Sequence, residues 1–391
     1  MKLTVSELIR SVHFPPISEV RGWLADRAPD PERPLIDLCQ AVPDYPPARQ
    51  LTDYLATLLD EPTLARYSPD EGLAEVREAI SARYARVYGA APEPDRLCLT
   101  IGASQAFWLA MVTLCRAGDE VIVQTPYYFD HPMALEMLGI RGVYVPFDEA
   151  AGGLPSPEAI ARLITPRTRA ILLVTPSNPT GVVTPPDIIH QLYRLAQRHG
   201  IALVLDETYA DFIPGGAPPH ELFADPEWGD NFVHFSSFGK TYALTGYRAG
   251  LLAGSREFIH HALKAQDTMA VCQPRITQHA VLYGTRYLDD WVADNRLMMA
   301  RRHGRFVNEF IAPGNPFRLV ASGTFFAWVR HPFAGMSGRE VARRLAVEAG
   351  LICLPGEVFG PGLTDYLRLA FGNIHEETIP EAVARFRALG V

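Results

Sequence analysis

One lysine, Lys240, sits among small and polar residues in the run FSSFGKTYALTGYRAG (235–250), with Arg248 eight positions further on. The chain has only three lysines, Lys2, Lys240 and Lys264, among 36 basic residues. Arginine cannot shed its proton inside a protein; lysine can, and only the neutral amine attacks a carbonyl carbon. Lys240 is therefore either an ordinary solvated cation or an amine reserved for Schiff-base chemistry. Asp206 closes the apolar run IALVLD (201–206), a costly place for a carboxylate unless a cation or donor meets it. A protonated pyridine nitrogen would meet it, and so would a nearby arginine. Asn178 stands in SNPTG (177–181), a turn whose proline fixes an amide able to donate to a ligand oxygen, with a cis peptide allowed at Asn178–Pro179. In GASQA (102–106), Ser104 opens a helix, where free backbone N–H groups attract a phosphate and where serine also serves as a plain cap. Tyr127 and Tyr128 end a further apolar run, placed either to fill the core or to stack on a planar ring.

Each of these residues follows a short apolar strand. The strands read as LCLTI (97–101), EVIVQ (120–124), RGVYVPF (141–147), RAILLVT (169–175), IALVLD (201–206), NFVHFSS (231–237) and RAGLLAG (248–254). Helical spacing appears between them: over 72–88, from Ser104 to Cys115, over 131–138, and after Thr184, read as a cap, to Gly200. Strands alternating with helices predict an α/β fold with a mainly parallel seven-stranded sheet covered by helices. Ligands of such sheets lie beyond the carboxyl ends of the strands, where the polar residues fall. Residues 275–310 read as one long helical stretch bent near Gly284, leading to strands in RLVASGTFFAWV, GLICLPG and DYLRLAFG and a helix from about 376. The expected division is a large domain at 45–275 and a smaller α/β domain made of 1–44, a Pro-rich arm, and 276–391.

Composition narrows the function. A net charge of −8 over 391 residues gives no basic face for nucleic acid. No apolar run approaches the roughly 18 residues of a membrane span. The N-terminus has no secretory apolar core, and the five cysteines are spread without a CxxC pair, so the reading is a cytoplasmic protein without disulfides or a metal site.

From about Ile36 to about Asn373 the sequence resembles the pyridoxal-phosphate-dependent aminotransferases of fold type I, class I/II, the aspartate aminotransferase superfamily. SSFGKTYALTGYRAG is similar to the family's lysine signature with its trailing G-x-R-x-G. The resemblance implies that Lys240 binds pyridoxal 5′-phosphate as a Schiff base and that Arg248, Ser237, Ser104 and Gln105 hold its phosphate. It further implies Tyr128 stacked on the ring, Asn178 and Tyr209 on the ring oxygen, and Asp206 on the ring nitrogen. RYSPDEGLAEVREAI is similar to a segment whose tyrosine reaches across a homodimer, so Tyr67 inherits the partner's phosphate. DYLRLAFG resembles the segment whose arginine clamps the substrate carboxylate, here Arg368. In IDLCQAVPDYPP, Ala41 stands where the family has a glycine close to the substrate, and Gly239 replaces a frequent serine or alanine. The implied activity moves the amino group of an L-amino acid to a 2-oxo acid. Carbon–sulfur β-lyases and the synthases that cyclise S-adenosylmethionine to aminocyclopropane carboxylate share the same residues and form the alternative. The transcription regulators built on this fold need a DNA-binding extension, for which the 35 or so residues ahead of the match leave no room. Ser104, Trp108, His13, Phe14 and Trp23 lean toward a neutral or aromatic donor, whereas Asp267 argues for a basic one.

Overall fold

Seven short apolar runs become the strands of one sheet in the computed structural model, which describes residues 3–28 and 30–389. After a two-residue strand β1 (Ile36–Asp37), they are β2 (Leu97–Ile101), β3 (Glu120–Gln124), β4 (Arg141–Val145), β5 (Thr168–Val174), β6 (Ala202–Asp206), β7 (Phe232–Ser237) and β8 (Ala249–Ala253). Their order across the sheet is β2-β8-β7-β6-β5-β3-β4. Only β8 runs against its neighbours, pairing antiparallel with both β2 and β7. Consequently the carboxyl ends of β2, β3, β5, β6 and β7 share one edge with the start of β8. That is why Arg248, ahead of β8, meets residues that follow the other strands.

The central strands are buried on both faces, and alternation divides their side chains between two cores. On β6, Leu203 and Leu205 join one apolar cluster, while Ala202 and Val204 join the other. The same parity sends Asp206 to the second face and its neighbour Glu207 to the first. A third core holds Ile36 and Leu38 with Met299, Phe306, Phe310 and the C-terminal helix Ile379–Ala388. It packs on the smaller sheet β12-β13-β10-β9, formed by β9 (Arg318–Gly323), β10 (Phe326–Arg330), β12 (Leu354–Pro355) and β13 (Tyr366–Leu369). The remaining strand, β11 (Leu351–Ile352), pairs in parallel with β1.

Several local expectations change. The stretch 275–310 is two helices, Arg275–Tyr287 and Asp289–Phe310, parted at Leu288 and not at Gly284. Gly284 lies against the Tyr242 ring, where a Cβ would come within 2.7 Å, so its smallness serves packing. Ala280, Val281, Leu282 and Val292 join the large sheet's apolar cluster, and Met299 joins the cluster on the smaller sheet. Thr184 does not cap its helix; the two following prolines shift the N-cap to Pro185, and the buried Thr184 N–H donates to Thr175 Oγ1 at 2.8 Å. The helix expected from Ser104 begins at Gly102. Cis peptide bonds occur at Thr125–Pro126 and Thr175–Pro176, whereas Asn178–Pro179 is trans. GLICLPG splits between β11 and β12. Among the described residues no helix is long and apolar enough to cross a membrane.

Candidate active site

A cavity of about 320 Å³ opens at the shared edge of the large sheet, roofed by residues 17 and 40–42 of the N-terminal arm and by Arg368 of the small sheet. Its walls carry Ala41, Ser104, Tyr128, Asn178, Asp206, Tyr209, Ser237, Lys240, Arg248 and Arg368. Residues spread over more than 300 positions thus face one volume.

Lys240 lies on the single helical turn Phe238–Thr241 that follows β7, and its Nζ donates to the Ala41 carbonyl at 2.7 Å. Burial pushes its pKa down from 10.5 to about 8, and the positive Arg248 and Arg368 add to the effect. Ala41 therefore contributes a backbone acceptor, which any residue at that position offers. Asp206 is buried, accepting the Thr208 N–H at Oδ1 (2.9 Å) with His131 Nε2 at 3.4 Å from Oδ2. Lys240 and Asp206 thus bring an amine and a carboxylate to the same chamber.

Arg368 is 1% exposed, between the rings of Phe326 and Phe359. One of its terminal nitrogens donates to Asn178 Oδ1 (3.1 Å) and the other to the Cys39 carbonyl, while Nε has no partner. The guanidinium lines the cavity, and its planar fork suits a carboxylate. Burial lowers its pKa, but guanidinium keeps its charge in proteins. Tyr128 donates its hydroxyl to Asp130 Oδ2 at 2.6 Å, which sets the ring plane; burial and then Asp130 hold its pKa well above the ordinary phenol value. Burial likewise raises Tyr209.

At the other end of the cavity, Gly102 has φ +74°, and a Cβ built there would collide with the Arg248 guanidinium. The absence of that carbon lets backbone N–H groups, Ser104, Ser237 and Arg248 face a common space. Arg248 has no carboxylate partner among the described residues; Nη1 donates to the Thr245 carbonyl at 3.0 Å. This donor set suits a phosphate, and the Asp206–His131 pair with the Tyr128 ring suits a planar cationic heterocycle, so the residues fit the group expected from the sequence.

Not every expected residue faces the cavity. Gln105 turns back, its Oε1 accepting the Ile101 N–H at 2.6 Å. Tyr67 is 77% exposed on the loop before the helix Ala74–Tyr88, outside this chain's own cavity. Asp267 lies exposed on the helix Arg256–Ala270, away from the cavity. Lys2 lies outside the described residues; Lys264 is exposed and bonds to His261. His131 and the cavity's apolar wall of Ile17, Phe107, Met133 and Met137 were missed. A solitary histidine three residues after Tyr128 carries no sequence signal beyond a helical turn that would set it near the same strand end. Among the described residues no group of three or more His, Cys, Asp or Glu side chains is arranged to hold a metal ion.

A family model described as aminotransferase class I and II matches residues 33–386. The chain is 28% identical over 382 residues to the aromatic aminotransferase ISS1 of Arabidopsis thaliana, covering 96% of this chain and 93% of that one. It is 32% identical over 340 residues to the aspartate/prephenate aminotransferase of Thermus thermophilus, covering 83% of each. Among solved structures, aspartate aminotransferase from Thermus thermophilus with maleate superposes with a TM-score of 0.90 over 99% of both chains, at 26% identity.

Proposed function

The chain belongs to the class I and II aminotransferases and is an amino-acid transaminase, and from that premise we propose that it uses pyridoxal 5′-phosphate at Lys240, as a cytoplasmic homodimer, to move the amino group of a neutral or aromatic L-amino acid to a 2-oxo acid. The observation that carries this reading is one cavity joining a lysine of depressed pKa, a buried carboxylate beside an imidazole, and a buried arginine with an unused N–H.

When bound, pyridoxal 5′-phosphate supplies an electron sink for the charge left on the substrate α-carbon when its proton departs. The chain's residues do the rest. Asp206 offers a carboxylate to a protonated ring nitrogen, and His131 restrains that carboxylate. Arg368 binds the substrate carboxylate through a planar fork, oriented by Asn178 and the Cys39 carbonyl, which fixes the bond at the α-carbon that breaks. Lys240 Nζ takes the α-proton and holds it for return, a task for which a pKa of about 8 is well matched. Tyr128 and the apolar wall exclude water from that transfer.

The donor preference rests on the lining. Arg248 and Arg368 are the only arginines on the described cavity wall, both have tasks at its ends, and the remaining surface includes Ile17, Phe107, Trp108, Met133 and Met137. Among the described residues of this chain, no further arginine lines the cavity for a second carboxylate, and Asp130 is engaged by Tyr128. The exposed Tyr67 supports a dimer in which it serves the neighbour's phosphate site, and five free cysteines suit a reducing compartment. A panel of amino acids with 2-oxoglutarate or pyruvate tests the reading. Phenylalanine, tyrosine, leucine or methionine should be consumed faster than aspartate, with no net ammonia. Lys240→Ala should lose both the visible absorbance of bound cofactor and turnover. A Lys240→Ala enzyme that keeps both, or a wild type that prefers aspartate, defeats the assignment it addresses.

A further inference from the structure

The phosphate-facing end of the cavity is built where β2 and β8 run out. Their ladder pairs Thr100 with Gly250 and Ile101 with Ala249, and beyond it the two chains diverge. Both turn through left-handed residues, Gly102 at φ +74° and Arg248 at φ +58°. Glycine adopts that shape freely and arginine does not, so Arg248 must be held from outside its own strand.

A third segment supplies the hold. Gln273 is completely buried, and its Nε2 donates to the Thr100 carbonyl on one strand and, at 3.4 Å, to the Arg248 carbonyl on the other. Gln273 reaches this point through a strained corner. The helix Arg256–Ala270 stops at Val271, which has φ 61° and ψ −72°, with the Cys272 N–H bonded to the Ala270 carbonyl at 2.7 Å. A β-branched residue takes this three-residue turn only when its surroundings impose it. The Gln273 carbonyl in turn accepts Gln278 Nε2 at 2.8 Å. Gln278, also completely buried, donates to Ser68 Oγ and accepts the Leu73 N–H, each at 2.7 Å. Buried amides therefore run unbroken from the strand ends to the loop that bears Tyr67.

We propose that Gln273 is a positioning residue for the phosphate end of the site: by tying the Thr100 and Arg248 carbonyls together it fixes the aim of the Arg248 guanidinium and of the N–H groups that follow Gly102. The proposal rests on the pyridoxal 5′-phosphate reading above. Gln273 touches no ligand and acts through Arg248 and Gly102.

The test compares pyridoxal 5′-phosphate with pyridoxal, which lacks the phosphate, as ligands of the cofactor-free protein, followed by absorbance titration. Gln273→Leu should weaken pyridoxal 5′-phosphate roughly tenfold, the loss of about one buried hydrogen bond, and leave pyridoxal nearly unchanged. Gln266→Leu is the structural control, because Gln266 is equally buried but donates to Leu99, before the strand end. It should lower stability and leave the ratio of the two affinities intact. Gln273→Asn, too short to span both carbonyls, gives the same reading if the leucine variant does not fold. An unchanged ratio in the Gln273 variants, or equal losses for both ligands, overturns the role of Gln273 alone. A wild type that binds the two ligands equally, or neither, overturns the phosphate site itself.

Discussion

Glu207, one residue beyond Asp206, offers the sharpest test of how the strand end is held. It is fully buried on the opposite face of β6, and its Oε2 accepts from Tyr88 Oη at 2.6 Å and His234 Nε2 at 2.9 Å, with His220 Nε2 at 3.4 Å. The Leu222 N–H donates to His220 Nδ1 at 3.1 Å, so the imidazole proton must sit on Nε2, toward Glu207. Burial by itself would raise the carboxyl's pKa, but His220 and His234 outweigh it and hold the group far below the ordinary 4.5. Glu207→Gln keeps the shape and removes the charge. Two charge-assisted bonds, each contributing about 1.5–3 kcal/mol, become neutral ones contributing about 1 each, a net loss of roughly 1–4 kcal/mol. Because the folded-state pKa lies below the unfolded one, the carboxylate's contribution is complete above about pH 5 and is lost as the pH falls further. Urea denaturation of the cofactor-free protein, followed by circular dichroism, should show the wild type well ahead of the variant at pH 7 and the gap narrowed at pH 4. Equal stabilities at pH 7, or a gap that ignores pH, would refute a charged Glu207.

Three other outcomes are expected. In cofactor-free protein, acylation of Lys240 should rise with a midpoint near pH 8, as the neutral amine forms; peptide mapping of the label would expose a midpoint near 10.4, the value for a solvated lysine. Arg368→Lys should raise the KM for the amino acid about 10- to 100-fold with a smaller effect on kcat, since an ammonium cannot reproduce the fork; steady-state kinetics with an unchanged KM would move the carboxylate clamp elsewhere. Gly181 has φ +75°, and a Cβ there would run into the Gly323 backbone, so Gly181→Ala should destabilise the protein by roughly 2–3 kcal/mol in thermal unfolding.

Strand positions were legible in the sequence because short apolar runs bounded by turns leave little freedom: 97–101 and 120–124 are met at both ends. The direction of β8 was not, since RAGLLAG reads the same either way and its orientation follows from pairing with β2 and β7. Asp206, Asn178 and Lys240 announced themselves by being polar where apolar strands end, whereas Arg368, inside β13, was marked only by the family resemblance; the four line one cavity. Gln105's motif position says nothing of its rotamer, whose Oε1 turns to the Ile101 N–H. Gly284 misled because a glycine needed for contact with Tyr242 looks like one needed for a bend. His131, Glu207, His220, His234 and Gln273 matter only through neighbours distant in the chain, and no local pattern marks them.

The pairing of β1 with β11 has a consequence for the order in which the molecule is made. Ile36 and Asp37 leave the ribosome early, yet their partners Leu351 and Ile352 emerge more than 300 residues later. Leu38 likewise awaits the Ala370 N–H, and the Asp37 carbonyl awaits Asn373. The large sheet, drawn from the continuous stretch 97–253, has all its strands long before that. Vectorial synthesis would therefore complete the scaffold of Lys240 first and bring in Ala41, Cys39 and Arg368 last, as one closing event. Lys240 would thus stand on a nascent chain without Arg368 beside it, and on the proposed reading substrate would find no grip until the segment carrying β13 had docked.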